Sequence, residues 1–218
     1  GCHDSDLTGK NWGDNEAEFE GLWASNLTHA LPQLTDEELL RLLIEGVHPE
    51  RSDMYVMPAK LYQHVPESDL KALIAYLRTL EPIGEASPPP QFLPETQAAI
   101  DAGEINTSVE DVAVHAANLP LDLGAAHERG RQLAMVTCAE CHGPALDGEH
   151  GFAPNLDMAG IYDRDQLTKL LTTGEGANGR KLQLMARVAS AEFVHFTPDE
   201  RDAVVDYVLA RAEANTAP

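Results

Sequence analysis

The sequence predicts a mainly α-helical protein built as two tandem helical domains, residues 1–82 and 120–218, joined by a proline-rich linker over 83–119. Three observations predict this. Apolar residues recur at helical spacing, and no stretch shows sustained strand alternation. Five prolines crowd residues 82–94. One order of features appears on each side of that break.

Residues 1–34 read mostly as loop, punctuated by Gly9, Gly13, Gly21 and Pro32. Thr35-Asp36-Glu37-Glu38 is a capping box that starts a helix, continued by Leu39, Leu42 and Leu43 and stopped at Gly46. A second helix is expected over 67–80, where Leu70, Leu73, Ile74 and Leu77 form one apolar stripe. Pro82, Pro88, Pro89, Pro90 and Pro94 then favour extended chain, which builds no core. Residues 95–118 offer a short helix near 95–101 and another short element before Pro120. Helix resumes over 125–138, residues 154–161 read as loop, and a short helix over 164–173 ends at Gly174. Thr197-Pro198-Asp199-Glu200 is a second capping box with Pro at the first helical position. It opens a final helix to about 212, with Val204, Val205, Val208 and Leu209 apolar.

Composition narrows the function classes. The formal net charge is −21, from 36 acidic and 15 basic residues. Such a chain repels nucleic acid and anionic lipid and favours protein partners with a basic docking patch; the plainer reading is that acidity keeps it in solution. Three cysteines do not make a disulfide framework. No apolar run of about 20 residues spans a membrane, and no signal peptide is present. The sequence opens at Gly1-Cys2-His3 without an initiator Met. That start implies a removed or missing upstream portion and leaves room for an upstream anchor.

Cys138-Ala139-Glu140-Cys141-His142 has the spacing for covalent attachment of c-type haem. The thiols lie about one helical turn apart, so both reach one edge of a haem, and His142 points at the iron from the same side. Zinc would need four ligands, and no second pair completes the set; a redox dithiol does not need the histidine. Cys2-His3 is only the tail of a similar motif, but an internal repeat supports it. The first half runs Cys2-His3, Asn26-Leu27, a helix ending at Gly46, Met57 and Tyr76. The second runs Cys141-His142, Asn155-Leu156, a helix ending at Gly174, Met185 and Tyr207. The closing helices align Leu73, Ile74, Tyr76 and Leu77 with Val204, Val205, Tyr207 and Val208.

Both halves resemble class I cytochrome c domains, and the whole resembles a dihaem cytochrome c over about 1–82 and 120–215. The resemblance implies two covalently attached haems c, bound through Cys2 in the first half and Cys138 and Cys141 in the second. It implies His3 and His142 as proximal iron ligands. Met57, followed by Pro58, and Met185 are the implied distal ligands, with Met54 in reserve for the first; Met135 reads as core, and Met158 lies near the Asn-Leu loop. Pro154 resembles the residue whose carbonyl accepts the proximal His N–H; Ser25 at the matching place departs from the pattern. A helix leads into the family's haem motif; Arg129–Ala134 fits it, with Gly130 admitting the closing helix near Tyr207, and the first half lacks it. Arg180 and Lys181 are candidates to neutralise haem propionates, or are solvated loop charges. His29, His48, His64, His115, His127, His150 and His195 read as surface or loop residues, any one a potential replacement for a Met. His/Met ligation fills both axial positions and raises the reduction potential.

The resemblance implies an electron carrier rather than an enzyme. Its donor is a dehydrogenase or quinol-oxidising complex, and its acceptor an oxidase or another cytochrome. The expected location is the periplasm or the outer face of the cytoplasmic membrane. The alternatives are a dihaem enzyme, such as a peroxidase or thiosulfate-oxidising cytochrome, and a subunit with one working haem.

Overall fold

The structure, a computed structural model, describes residues 2–12, 21–52, 54–149 and 151–216. Gly1, Gly13 and His150 lie outside the described residues. The chain is mainly helical and divides into two compact units, Gly1–Ala113 and Val114–Pro218.

The first unit opens with a two-residue antiparallel pair, β1 (Lys10–Asn11) and β2 (Trp23–Ala24), with Lys10 opposite Ala24. Helix α1 (Leu27–Ala30) follows, capped by the Asn26 side chain accepting from the Thr28 N–H. Helix α2 (Asp36–Glu45) begins at the Thr35/Glu38 capping box and ends at Gly46 in the left-handed conformation, φ 72°. Next come α3 (Ala59–Tyr62) and α4 (Glu67–Leu77). The apolar stripes of α2 and α4 meet: Leu39, Leu43, Leu70, Ile74 and Leu77 are buried together with Leu31 and Leu34. Each fully buried Leu contributes roughly 1.5–3 kcal/mol over exposure. Leu7, Leu27 and Met57 border this cluster.

The proline-rich stretch differs from a free linker. Asn26 Nδ2 donates to the Ile83 and Glu85 carbonyls at 2.8 and 2.9 Å, and the Asn26 N–H donates to Ser87 Oγ at 2.8 Å. Extended chain leaves its backbone groups free to bond elsewhere, and Asn26, 2 % exposed, takes them up. Helices α5 (Pro94–Asp101) and α6 (Ser108–Ala117) follow, and the boundary between the units falls within α6. Ser108 pins the methionine loop: its N–H donates to the Met54 carbonyl at 2.7 Å and its Oγ to the Met57 carbonyl at 2.8 Å. His115, expected on the surface or in a loop, is buried on α6. It shares the face of Ser108 at helical spacing.

After the end of α6 the second unit continues with a 3-10 turn (Ala125–His127) and α7 (Glu128–Thr137), which leads into the short α8 (Ala139–His142). Residues 156–161, expected as loop, form a 3-10 helix capped by Asn155. Helix α9 (Arg164–Thr173) has an Asp163/Gln166 capping box and ends at Gly174, φ 71°. Then come α10 (Gln183–Ala191), a 3-10 turn (Phe193–His195) and the closing α11 (Pro198–Thr216). Helix α11 packs on α7, α9 and the 3-10 helix, burying Val204, Val205, Tyr207 and Val208. It crosses α7 at Gly130, where an added Cβ would lie 2.7 Å from Tyr207 Cβ. Met135 is buried on α7.

The aligned tyrosines differ. Tyr207 is wholly buried, whereas Tyr76 is 58 % exposed. Tyr207 lies against α7 and donates its hydroxyl to the Leu121 carbonyl at 2.9 Å.

Candidate haem site

The second unit holds a cavity of about 820 Å³, within the roughly 300–1,000 Å³ typical of cofactor sites. Cys138, Cys141 and His142 line it, together with Pro154, Asn155, Met158, Arg180, Lys181 and Met185. Leu167, Leu170 and Leu171 of α9 and Val204 and Val208 of α11 supply apolar wall. Cys138, Cys141, His142, Pro154 and Met185, the residues the resemblance assigns to haem in this half, therefore reach one cavity, whereas His127 and His195 do not line it.

Local structure explains the convergence. Helix α7 ends at Cys138, and the turn continues as α8, where the Cys141 and His142 N–H groups both donate to the Cys138 carbonyl, at 3.2 and 2.9 Å. One helical turn thus carries both sulfurs and the imidazole. Burial pushes the Cys138 thiol up to about 11. A redox dithiol works through a lowered thiol pKa, the opposite of this shift. His142 Nδ1 lies 2.7 Å from the Pro154 carbonyl. A proton on Nδ1 makes that bond and leaves the Nε2 lone pair for a metal. Burial lowers the His142 pKa, against the raising effect of that bond, which keeps the ring neutral and able to ligate.

Met185 sits on α10. Gln183–Ala191 is rich in helix formers, and Ala186 packs so closely on Gly174 that a Cβ there would meet Ala186 Cβ at 2.5 Å. Met158 also lines the cavity but is 56 % exposed. It lies on the segment that carries Pro154, four residues on, whereas Met185 comes from a separate element.

The first unit repeats the framework around its histidine. His3 Nδ1 lies 2.7 Å from the Ser25 carbonyl. The acceptor is backbone, so serine serves where proline does in the other half. Leu7 and Leu146, each four residues after the histidine, have left-handed φ of 63° and 60°. Gly9 and Gly148, six residues after it, donate back to the His3 and His142 carbonyls at 3.0 and 2.9 Å. The Leu27 N–H donates to the Leu7 carbonyl at 2.8 Å, and the Leu156 N–H to the Leu146 carbonyl at 3.0 Å. Leu7, Leu146 and Gly148 escaped the sequence reading, and Gly9 was read only as loop punctuation; the shared pattern Cys-His-x-x-x-Leu-x-Gly could have found the turn. Burial also lowers the His3 pKa. Cys2 is exposed, and Met57 borders the hydrophobic cluster on a turn whose Val56 has φ 68°.

Residues 127–211 match the family model for cytochrome c. Those residues form a cytochrome c domain. It begins at the 3-10 turn before α7 and contains the cysteine pair, the cavity and most of α11. The chain is also similar to the fructose dehydrogenase cytochrome subunit of Gluconobacter japonicus, at 26 % identity over 86 % of this chain. It spans 44 % of that relative's length. The family match implies covalently bound haem c in residues 127–211, and both similarities support electron transfer in general. The residues around the cavity fit that group: two thiols one turn apart, a neutral imidazole with a free Nε2, a thioether, apolar walls and two basic side chains. Among the described residues no helix is long and apolar enough to cross a membrane.

Proposed function

We propose that the chain carries single electrons through two covalently attached haems c, one in each unit, as an electron-transfer subunit or carrier and not as an enzyme. The observation that carries this reading is the meeting of Cys138, Cys141, His142 and Met185 on one cavity. Bound haem supplies a one-electron ferric/ferrous couple. The chain's residues do the rest. Cys138 and Cys141 hold the group as thioethers. The Pro154 carbonyl takes the Nδ1–H of His142 and orients its Nε2, while Met185 offers a soft sulfur that favours the reduced state. Leu167, Leu170 and Leu171 exclude water. Arg180 and Lys181 are placed to meet carboxylates at the cavity rim.

In the first unit, Cys2, His3 and Met57 are assigned the same parts, supported by the His3–Ser25 bond and the matching turn. With the similarity to a dehydrogenase cytochrome subunit, the donor is a dehydrogenase and the acceptor another redox protein with a basic docking patch. The location is the periplasm or the outer face of the cytoplasmic membrane. A second reading keeps haem in the second unit alone; it is favoured by the family match being confined to 127–211. Carbon monoxide tests whether the irons are saturated. The reduced native protein is expected to show no spectral change on its addition. Stoichiometric binding would show an open iron and overturn the carrier reading.

A further inference from the structure

Helix α11 carries one buried cation into the second unit. Arg211 is 4 % exposed, in a chain with 36 acidic residues. A single nitrogen does its work: Nη1 donates to the Leu146 carbonyl at 2.8 Å, reaches Asn155 Oδ1 at 3.4 Å and pairs with Asp157 Oδ1 at 3.0 Å. Among the described residues, its Nε has no hydrogen-bond partner. A buried guanidinium with an unmet donor costs free energy that an apolar residue on α11 would not. Packing therefore does not account for it.

The groups it grips are informative. Leu146 is the left-handed residue four places after His142. Asn155 directly follows Pro154, whose carbonyl meets His142 Nδ1 at 2.7 Å. The first unit holds the matching Asn26, after Ser25, by other means: the carbonyls of Ile83 and Glu85 and the hydroxyl of Ser87. Two unrelated devices clamp one position, the asparagine beside the carbonyl that meets the histidine.

We propose that Arg211 is a positioning residue for His142: by locking Leu146 and Asn155 it keeps the Pro154 carbonyl aimed at the imidazole Nδ1–H and so fixes the ring's rotation about the iron–nitrogen axis. The proposal rests on His142 being a ligand of bound haem. Lysine can take over, because one nitrogen makes all three contacts and an ammonium has three donors. Glutamine cannot, because its shorter side chain does not reach Leu146 and Asp157 together.

The test uses the native haem-bound protein and its R211Q, R211K and T197A variants. Exchange of the proximal ring N–H is followed by NMR, and the low-spin ferric g-values by EPR. T197A, which removes the α11 cap at a residue that does not line the cavity, controls for a general loss of stability. R211Q is expected to exchange at least tenfold faster than T197A at matched distance below each melting temperature, with shifted g-values; R211K should return both to wild type. R211Q indistinguishable from T197A, or R211K as impaired as R211Q, overturns the proposal. A wild-type protein lacking a low-spin, histidine-ligated iron would instead overturn the underlying site assignment.

Discussion

Gly130 offers a sharp test of how the second unit closes around its cavity. In Gly130→Ala the new Cβ would lie 2.7 Å from Tyr207 Cβ and 2.8 Å from the Ala203 carbonyl carbon, and closer still to the Ala203 carbonyl oxygen. Carbon atoms rest at about 3.5–4.0 Å, so α7 and α11 must separate by roughly 1 Å along their crossing. The obstacle is backbone on a helix that also buries Val205, Val208 and Ala212, which resists its rotating away. Overpacking of this kind costs about 1–3 kcal/mol, and the backbone contact places it at the upper end. Replacing glycine inside a helix recovers about 1 kcal/mol of propensity. The net loss is about 2 kcal/mol, which lowers the melting temperature by roughly 8–16 °C for a unit of this size. Thermal unfolding followed by far-ultraviolet circular dichroism and the Soret band measures it. Gly160→Ala is the internal control, because its Cβ would meet only Ala212 Cβ at 3.6 Å. A Gly130→Ala protein that melts with or above wild type would refute the close-crossing reasoning.

Other expectations follow from the site and its supports. Met185→Ala should remove the near-infrared methionine-to-iron band, lower the potential and admit carbon monoxide, while Met158→Ala leaves all three unchanged; the reverse pattern would move the ligand to Met158. Thr197→Ala should cost about 1 kcal/mol near neutral pH by deleting the α11 cap. Hydrogen bonds from the Thr197 N–H and hydroxyl hold the Glu200 carboxyl below its ordinary 4.5. That contribution is present above 4.5 and fades as pH falls through the depressed value. The gap between the denaturant midpoints of wild type and Thr197→Ala should therefore narrow in acid by the share of the hydroxyl–carboxylate bond, while the bond from the Glu200 N–H to the Thr197 hydroxyl keeps the rest; a gap independent of pH would separate the cap from Glu200. Association with a basic redox partner should slow as ionic strength rises, read by stopped-flow reduction. A rate indifferent to salt would remove electrostatics from docking.

Elements with local start and stop signals were legible in the sequence. The Thr35/Glu38 and Thr197/Glu200 boxes and the glycines at 46 and 174 set the ends of α2, α9 and α11, because capping is decided within four residues. The Cys138–His142 motif was legible because spacing alone fixes which atoms share a helical turn. Features that depend on distant contacts were not. Helix α10 received no element from the sequence, because its order comes from Ala186 seating against Gly174. The proline-rich stretch read as a linker because composition does not show that Asn26 would capture its carbonyls. Tyr76 aligned with Tyr207 in sequence, yet burial of Tyr207 is decided by α7, at a distance that periodicity does not register. Nothing beside Arg211 in the sequence marks it as buried, because its partners Leu146, Asn155 and Asp157 lie more than fifty residues away.

The central claim is that each unit holds its own haem, and the most direct measurement is the intact mass of the native protein with a pyridine haemochrome count per chain. The account predicts a covalent mass increase of two haems and two haemochromes. A single haem, retained when the first unit is altered at His3 and lost when Cys138 and Cys141 are replaced, would contradict it and leave the first unit a scaffold.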